Sequence, residues 1–185
     1  MLELIHWLDS TAWSTALHES LWAYPLIEST HVWGLAFFAG FAALLDLRLL
    51  GLSFNKVPVS EFAGKLLPWT IVSFVLMVIT GALLFYAIPV RSYQNIFFRI
   101  KMVMLILAGI NVWIFHRGIW TRVAAWDRDP KPPKKARVAG AASLALWAVI
   151  IICGRMIAYN WFDCDRQPQP TLINWLTSCD PAAEP

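Results

Sequence analysis

An imidazole and two cationic side chains fall inside long apolar segments of this sequence: His31, Lys101 and Arg155. Ionisable groups at membrane depth are costly, so each of them is a candidate for function. A neutral imidazole in an apolar helix bundle is a suitable axial ligand for haem iron, and a nearby Lys or Arg can neutralise the haem propionates. The pattern therefore favours b-type haem, with His31 as the ligand of the haem iron.

Three further residues extend this set. Glu28 precedes His31 by three positions and Tyr159 follows Arg155 by four, so each shares a helix face with its neighbour. Gly81 would leave a gap on the second apolar segment. A quinone head group is an alternative occupant, because it would use a His or Tyr donor and a carboxylate such as Glu28. The predicted cofactor-binding residues are His31, Lys101, Arg155, Glu28, Gly81 and Tyr159.

Four apolar segments must position these residues, and they run approximately over 21–45, 66–88, 96–116 and 138–162. Each is long enough to cross a hydrocarbon core of ~30 Å at ~1.5 Å per helical residue. Counted from the more basic end of each segment, His31, Gly81, Lys101 and Arg155 lie ~22–26 Å along it. The count predicts that they share one layer near the less basic face of the membrane.

The composition supports this organisation, because 58% of the 185 residues are hydrophobic and only 15% are charged. A soluble domain carries about 25% charged residues. A soluble enzyme domain, a nucleic-acid reader and a secreted disulfide scaffold are therefore excluded. We predict an all-α integral membrane four-helix bundle that forms a single membrane domain over residues 1–185. Short interfacial helices are expected at the N-terminus, where Asp9 and Ser10 could cap the second, and in the tail 163–185.

Positive charge is distributed unevenly between the connecting segments. The loops after the first and third spans contain ten Lys and Arg residues, whereas the other flanks contain only Arg91 and Arg166. Cytoplasmic loops carry an excess of Lys and Arg. The distribution predicts a multi-pass protein of the bacterial inner membrane with both termini in the periplasm.

The three cysteines differ in their surroundings. Cys153 falls within the fourth span, where a buried and inert thiol is expected. Cys164 and Cys179 fall in the tail assigned to the periplasm, which is an oxidising compartment. We predict a disulfide between Cys164 and Cys179.

Several polar residues also have simpler interpretations. Lys101 and Arg155 lie within snorkelling reach of the membrane surface, so an anchoring role is an alternative for each. His116 lies ~20 Å from the layer of His31 by the same count, which makes it a poor second ligand for the same haem. Asn111 is expected to form a hydrogen bond between helices.

The chain resembles an uncharacterised family of small four-helix bacterial inner-membrane proteins. The resemblance rests on short segments spread over most of the sequence: residues 22–34, 46–51, 67–69, 80–81, 98–101, 111 and 154–159. More distantly, a His on the first span and a Lys on the third are similar to the HemJ-type protoporphyrinogen oxidases and the CopD-like copper-resistance membrane proteins. In the HemJ group these residue types are associated with haem binding and activity, and the matching positions are His31 and Lys101.

Three functions follow from these observations. The first is a b-type haem protein for electron transfer, as a small subunit of a larger redox complex or alone. The second is a structural or assembly subunit of a membrane complex without its own cofactor. The third is a HemJ-like oxidoreductase that acts on a porphyrin or a quinone, so whether the chain is an enzyme stays open. The expected partners are the lipid bilayer with other membrane subunits, a periplasmic redox partner or a quinone, and no nucleic acid.

Overall fold

The structure, a computed structural model, describes residues 2–159, 162–164 and 167–179. These residues form eight α-helices and no strand, so the predicted all-α class is confirmed. After the sixth helix the chain continues through a π turn, Phe115–Ile119, and a 3-10 segment, Trp120–Ala125. The helices are α1 (Leu2–Asp9), α2 (Ala12–Glu19), α3 (Ala23–Leu50), α4 (Val59–Ala87), α5 (Pro89–Tyr93), α6 (Ile96–Ile114), α7 (Lys134–Ile157) and α8 (Thr171–Thr177).

Four of these helices are long and apolar enough to span a membrane: α3, α4, α6 with its continuation to Ala125, and α7. They correspond to the four predicted spans, with different ends. The second begins at Val59 rather than at 66, because Asp127 caps its first turn by accepting hydrogen bonds of 2.7 Å from the Ser60 N–H and hydroxyl. The fourth ends at Ile157 instead of continuing to 162.

The chain divides into two compact units, and each of the four long helices contributes to both. The terminal unit comprises Met1–Thr30, Ile79–Val103 and Ile150–Pro185. The central unit comprises His31–Val78 and Met104–Val149. The prediction of a single membrane domain is not tested by this division and stays a prediction. Arg166, which was counted for the orientation, and residues 165 and 180–185 of the tail lie outside the described residues.

In the terminal unit, two short helices precede the first span, as predicted. The cap of α2 is Thr11 rather than Asp9 or Ser10, because the Thr11 side chain accepts from the Ser14 N–H. The Thr11 hydroxyl also lies 2.7 Å from the Tyr86 hydroxyl, and the Ser14 hydroxyl donates to the Tyr86 carbonyl at 2.8 Å. These contacts hold α2 against the end of α4.

The tail is held in the terminal unit by covalent and polar contacts. Cys164 and Cys179 form the predicted disulfide, across a sequence separation of 15. Next to it, Asp163 accepts from the Arg91 side chain at 3.2 Å and from the Asn95 amide at 3.1 Å. Asn95 in turn accepts from the Phe97 N–H at 2.9 Å, so the tail is fastened to the residue that caps α6.

Replacement of Cys179 by Ser should lower the free energy of unfolding by about 3 kcal/mol, the chain-entropy value for closing a loop of this length. Mass spectrometry of unreduced peptides, from protein alkylated in intact cells before lysis, should find Cys164 linked to Cys179. Cys153 should be the thiol that becomes alkylated after denaturation without reductant. Two free thiols at 164 and 179 would contradict the pairing and weaken the predicted orientation.

In the central unit, α3 and α7 approach closely at Gly140, where a Cβ would lie 3.2 Å from the Asp46 carbonyl. About two turns earlier on α3, Phe38 packs edge-on against Trp147, with ring centroids 4.5 Å apart. At the loop end of this unit, a buried apolar cluster surrounds the end of α3 and the start of α4. It consists of Leu49, Val59, Trp126 and Ala136.

The position of Arg48 corrects the sequence analysis, which counted it among the charges of a loop. It lies within α3 and is 0% exposed. Its Nε donates to the Val57 carbonyl at 2.9 Å, and its Nη2 donates to the carbonyls of Asp127 and Asp129 at 3.4 and 3.3 Å. Arg48 therefore joins two loops of the central unit, a role that its sequence position did not reveal.

Asp127 lies outside the spans and should make the stability of the central unit depend on pH. Burial opposes its ionisation, but the hydrogen bonds from Ser60 and the charges of Arg128 and Arg48 outweigh this and lower the pKa of Asp127. A lowered pKa means that the ionised form stabilises the fold. The contribution is complete above the unfolded-state pKa of about 4 and is lost as the pH falls through the folded-state value.

The Asp127→Asn variant should therefore have a lower thermal midpoint than the native chain at pH 7, and the difference should shrink below pH ~4. Thermal unfolding in detergent at several pH values would measure this. Asp129→Asn is the matched control, because the Asp129 carboxylate is exposed and no hydrogen bond to it is seen among the described residues. An equal pH response in both variants would contradict the role of Asp127.

Candidate functional site

Lys101 lies on α6 within the terminal unit and is partly buried. Its Nζ is 3.6 Å from the position that a Cβ would occupy at Gly154, so the absence of a side chain on α7 leaves room for the ammonium group. The preceding residue, Cys153, is buried with a free thiol, as predicted. The structure thus places the ammonium of Lys101 against α7, a contact that the sequence analysis did not predict.

Arg155 and Tyr159 meet at the end of α7. The guanidinium carbon of Arg155 lies 4.9 Å from the centroid of the Tyr159 ring, and both residues are exposed. Their predicted shared face is confirmed by this cation–π contact. Because Arg155 is exposed, its side chain is accessible both for anchoring at the membrane surface and for binding a cofactor.

The remaining predicted residues lie on α3 and α4. His31 is partly buried and is the first residue of the central unit on α3, whereas the exposed Glu28 belongs to the terminal unit. Gly81 is partly exposed on α4 and follows the buried Thr80. Among the described residues Glu28 forms no ion pair with Lys101 or Arg155, since the ion pairs seen there are Lys65–Glu61 and Arg91–Asp163. The common layer of these side chains stays a prediction.

Two residues with simpler expected roles are also placed. The Asn111 amide donates to the Ala139 carbonyl at 3.0 Å, which confirms the predicted hydrogen bond between helices. His116 is exposed in the π turn, with its Nδ1 3.0 Å from the Val112 carbonyl. This polar contact joins His116 to α6, the helix that its π turn continues.

A polar cluster at the other end of α6 was missed by the sequence analysis. Asp163 is 7% exposed and receives the side chains of Arg91 and Asn95. Arg99, nearby on α6, stacks over Tyr93 with 4.5 Å between its guanidinium carbon and the ring centroid. The only available signal was Asn95 immediately before the third span, a typical N-cap residue. Its partner Asp163 is 68 residues away, which no local pattern reveals.

The side chains that could serve as metal ligands bear on which kind of cofactor the chain could bind. No group of three or more His, Cys, Asp and Glu side chains that could hold a metal ion occurs in the described part of the chain. A porphyrin brings its own nitrogen ligands, so a haem needs only one or two from the protein. An imidazole on an apolar helix, such as that of His31, is the type of protein ligand that haem requires.

The helices and their apolar surfaces define a multi-pass all-α membrane protein. Comparison with known proteins places it further: the chain belongs to a family of unknown function (DUF6644), whose family model matches residues 20–160. This confirms the predicted membership of an uncharacterised family. No curated protein and no solved structure matches the chain significantly, so the likeness to HemJ-type or CopD-like proteins gains no support from named relatives.

Proposed function

We propose that this protein is a b-type haem protein of the membrane that takes part in electron transfer, with His31 as the axial ligand of the haem iron. The observation that carries the proposal is the position of His31, a partly buried imidazole within an apolar span-length helix. Ionisable side chains at membrane depth are rare and mark functional sites. Bound haem would supply reversible one-electron oxidation and reduction of its iron.

The residues of this chain would hold the cofactor in different ways. The His31 imidazole would donate a nitrogen lone pair to the iron. Lys101 or Arg155 would neutralise a propionate, and Lys101 is suited to this because its ammonium has no carboxylate ion pair within the described residues. Gly81, Glu28 and Tyr159 are proposed to complete the site, with Gly81 providing clearance.

The optical spectrum of the purified full chain, expressed with ample haem supply, tests this proposal. A histidine-ligated b-type haem should give a Soret band that shifts on reduction with dithionite. A folded but colourless protein would contradict the proposal.

The proposed location is the bacterial inner membrane, with both termini in the periplasm. Without the buried Arg48, nine Lys and Arg residues lie in or beside the connections after the first and third spans, against two in the other flanks, and this difference supports the orientation. The Cys164–Cys179 disulfide supports it independently, because disulfides persist in oxidising compartments. A site near the periplasmic face would allow exchange of electrons with a periplasmic redox partner, another membrane subunit or a quinone.

A second candidate is a structural or assembly subunit without a cofactor. The exposure of the third span favours this candidate. Only 6% of the most apolar stretch of the third span is buried within the chain, against 22–28% for the other three spans. Such a surface could be covered by another subunit. Haem content separates this candidate from the first. Turnover of a porphyrin or quinone by the haem-loaded protein would instead favour the HemJ-like oxidoreductase.

A further inference from the structure

An open groove runs between α6 and α7 in the central unit, with a volume of about 440 Å³. Its walls are apolar apart from Asn111, and Ile110, Ile114, Ala142, Ala145 and Leu146 are among the lining residues. The lining extends over eight residues of each helix, from Leu107 to Ile114 and from Ala142 to Val149, or ~10 Å. Because so little of the third span is buried within the chain, we expect the groove to open to the hydrocarbon of the membrane.

The segment that joins these two helices is strongly basic. Seven exposed cations lie in it or at its two ends: Arg117, Arg122, Arg128, Lys131, Lys134, Lys135 and Arg137. None of the seven forms an ion pair with another described residue. The same segment contains two carboxylates, Asp127 and Asp129, so its seven cations leave a net charge of +5. The positive charge is therefore largely uncompensated within the chain.

Helical spacing places part of this charge at one end of the groove. Arg117 follows Ile114 by three residues, and its guanidinium carbon stacks 5.0 Å from the Trp113 ring centroid. Lys135 precedes Ala142 by seven residues, two turns away on the same face of α7. Lys134 and Lys135 also occupy the first turn of α7, where the helix dipole adds positive potential and disfavours cations.

We propose that the α6–α7 groove and its basic end form a binding site for an anionic phospholipid. One acyl chain would lie in the groove, while Arg117, Lys134 and Lys135 would bind the phosphate. An apolar slot that opens to hydrocarbon and ends at uncompensated cations is complementary to this ligand class. A neutral lipid would leave the cations without a counter-charge, and a free phosphate would not use the groove.

Native mass spectrometry of the full chain in detergent, titrated with phosphatidylglycerol or phosphatidylcholine, tests the site. The native chain should bind phosphatidylglycerol more tightly. Because each cation near an anionic lipid contributes about fivefold in affinity, the triple variant R117Q/K134Q/K135Q should lose on the order of a hundredfold. The matched triple variant R122Q/R128Q/K131Q removes equal charge away from the ends of the two helices and should lose much less.

A second pair of variants tests the groove with all charges kept. Ala145→Phe fills the groove and should weaken phosphatidylglycerol binding, whereas Ala141→Phe, at an exposed position outside the lining, should not. Equal losses in the two triple variants would reduce the effect to general attraction by the loop and overturn the proposal. Unchanged lipid affinity in Ala145→Phe would also overturn it. If that variant instead converts a native dimer to a monomer, the groove belongs to a second copy of the chain.

Discussion

The His31→Ala variant should lose the Soret band of the purified protein while its helices remain folded and inserted. An alanine supplies no lone pair for the iron, and loss of a group that only supports a metal ligand already weakens binding about 10–100-fold. Loss of the ligand itself should therefore lower haem affinity by more than a hundredfold, on that same scale. The measurement is haem per polypeptide from the optical spectrum, beside the elution profile of the protein in detergent.

Two control variants and the addition of imidazole test whether the loss of haem is specific to the His31 imidazole. His116→Ala should leave the spectrum unchanged, because His116 is exposed and contacts the Val112 carbonyl of its own helix. Lys101→Met should retain haem if Lys101 only contacts a propionate, and should lose low-spin character if it is the sixth ligand. Added imidazole should restore part of the Soret band to His31→Ala. A native spectrum in His31→Ala would show that another residue holds the iron.

Replacement of Arg48 by Leu should strongly lower the stability of the protein. The substitution removes the hydrogen bonds that Arg48 donates to the carbonyls of Val57 and Asp129, whereas the Asp127 carbonyl keeps one of 3.0 Å from the Val59 N–H. An acceptor that loses its donor costs about 1–3 kcal/mol, so with two such carbonyls we expect a loss of about 3 kcal/mol. The Arg48 Nη1 is itself buried without a hydrogen-bond partner among the described residues, and removal of this cost offsets part of the loss.

The thermal midpoint in detergent measures this effect, and a shift on the order of 10 °C is expected for a chain of this size. Arg48→Lys keeps the charge but lacks the planar group that serves three carbonyls, so its midpoint should lie between those of Leu and Arg. Arg128→Gln removes an exposed cation of the same loop and should shift the midpoint very little. A Leu variant as stable as the native chain would show that Arg48 contributes no net stability.

The amino-acid sequence alone determined the membrane class, the four spans and the disulfide. These features follow from local and compositional rules: the length of an apolar run sets a span, and two cysteines in a tail expected to face an oxidising compartment are expected to pair. The same rules found Asn111 as a hydrogen-bond donor between helices, because a polar amide in hydrocarbon needs a partner. They also found the shared face of Arg155 and Tyr159, because residues four apart on a helix are neighbours.

Only the tertiary structure decided which distant residues meet. In the sequence, Arg48 is placed like a charge of a loop. In the structure it is buried, because carbonyls 9 to 81 residues away converge on it. Asp163 in the tail accepts a hydrogen bond from Asn95, and Lys101 on α6 lies against Gly154 on α7. No local spacing in the sequence encodes either contact. Span ends also moved, since the start of α4 depends on a cap from Asp127, 67 residues later. Spacing within one helix is set by its geometry, whereas the partners of a buried charge depend on how the helices and loops pack.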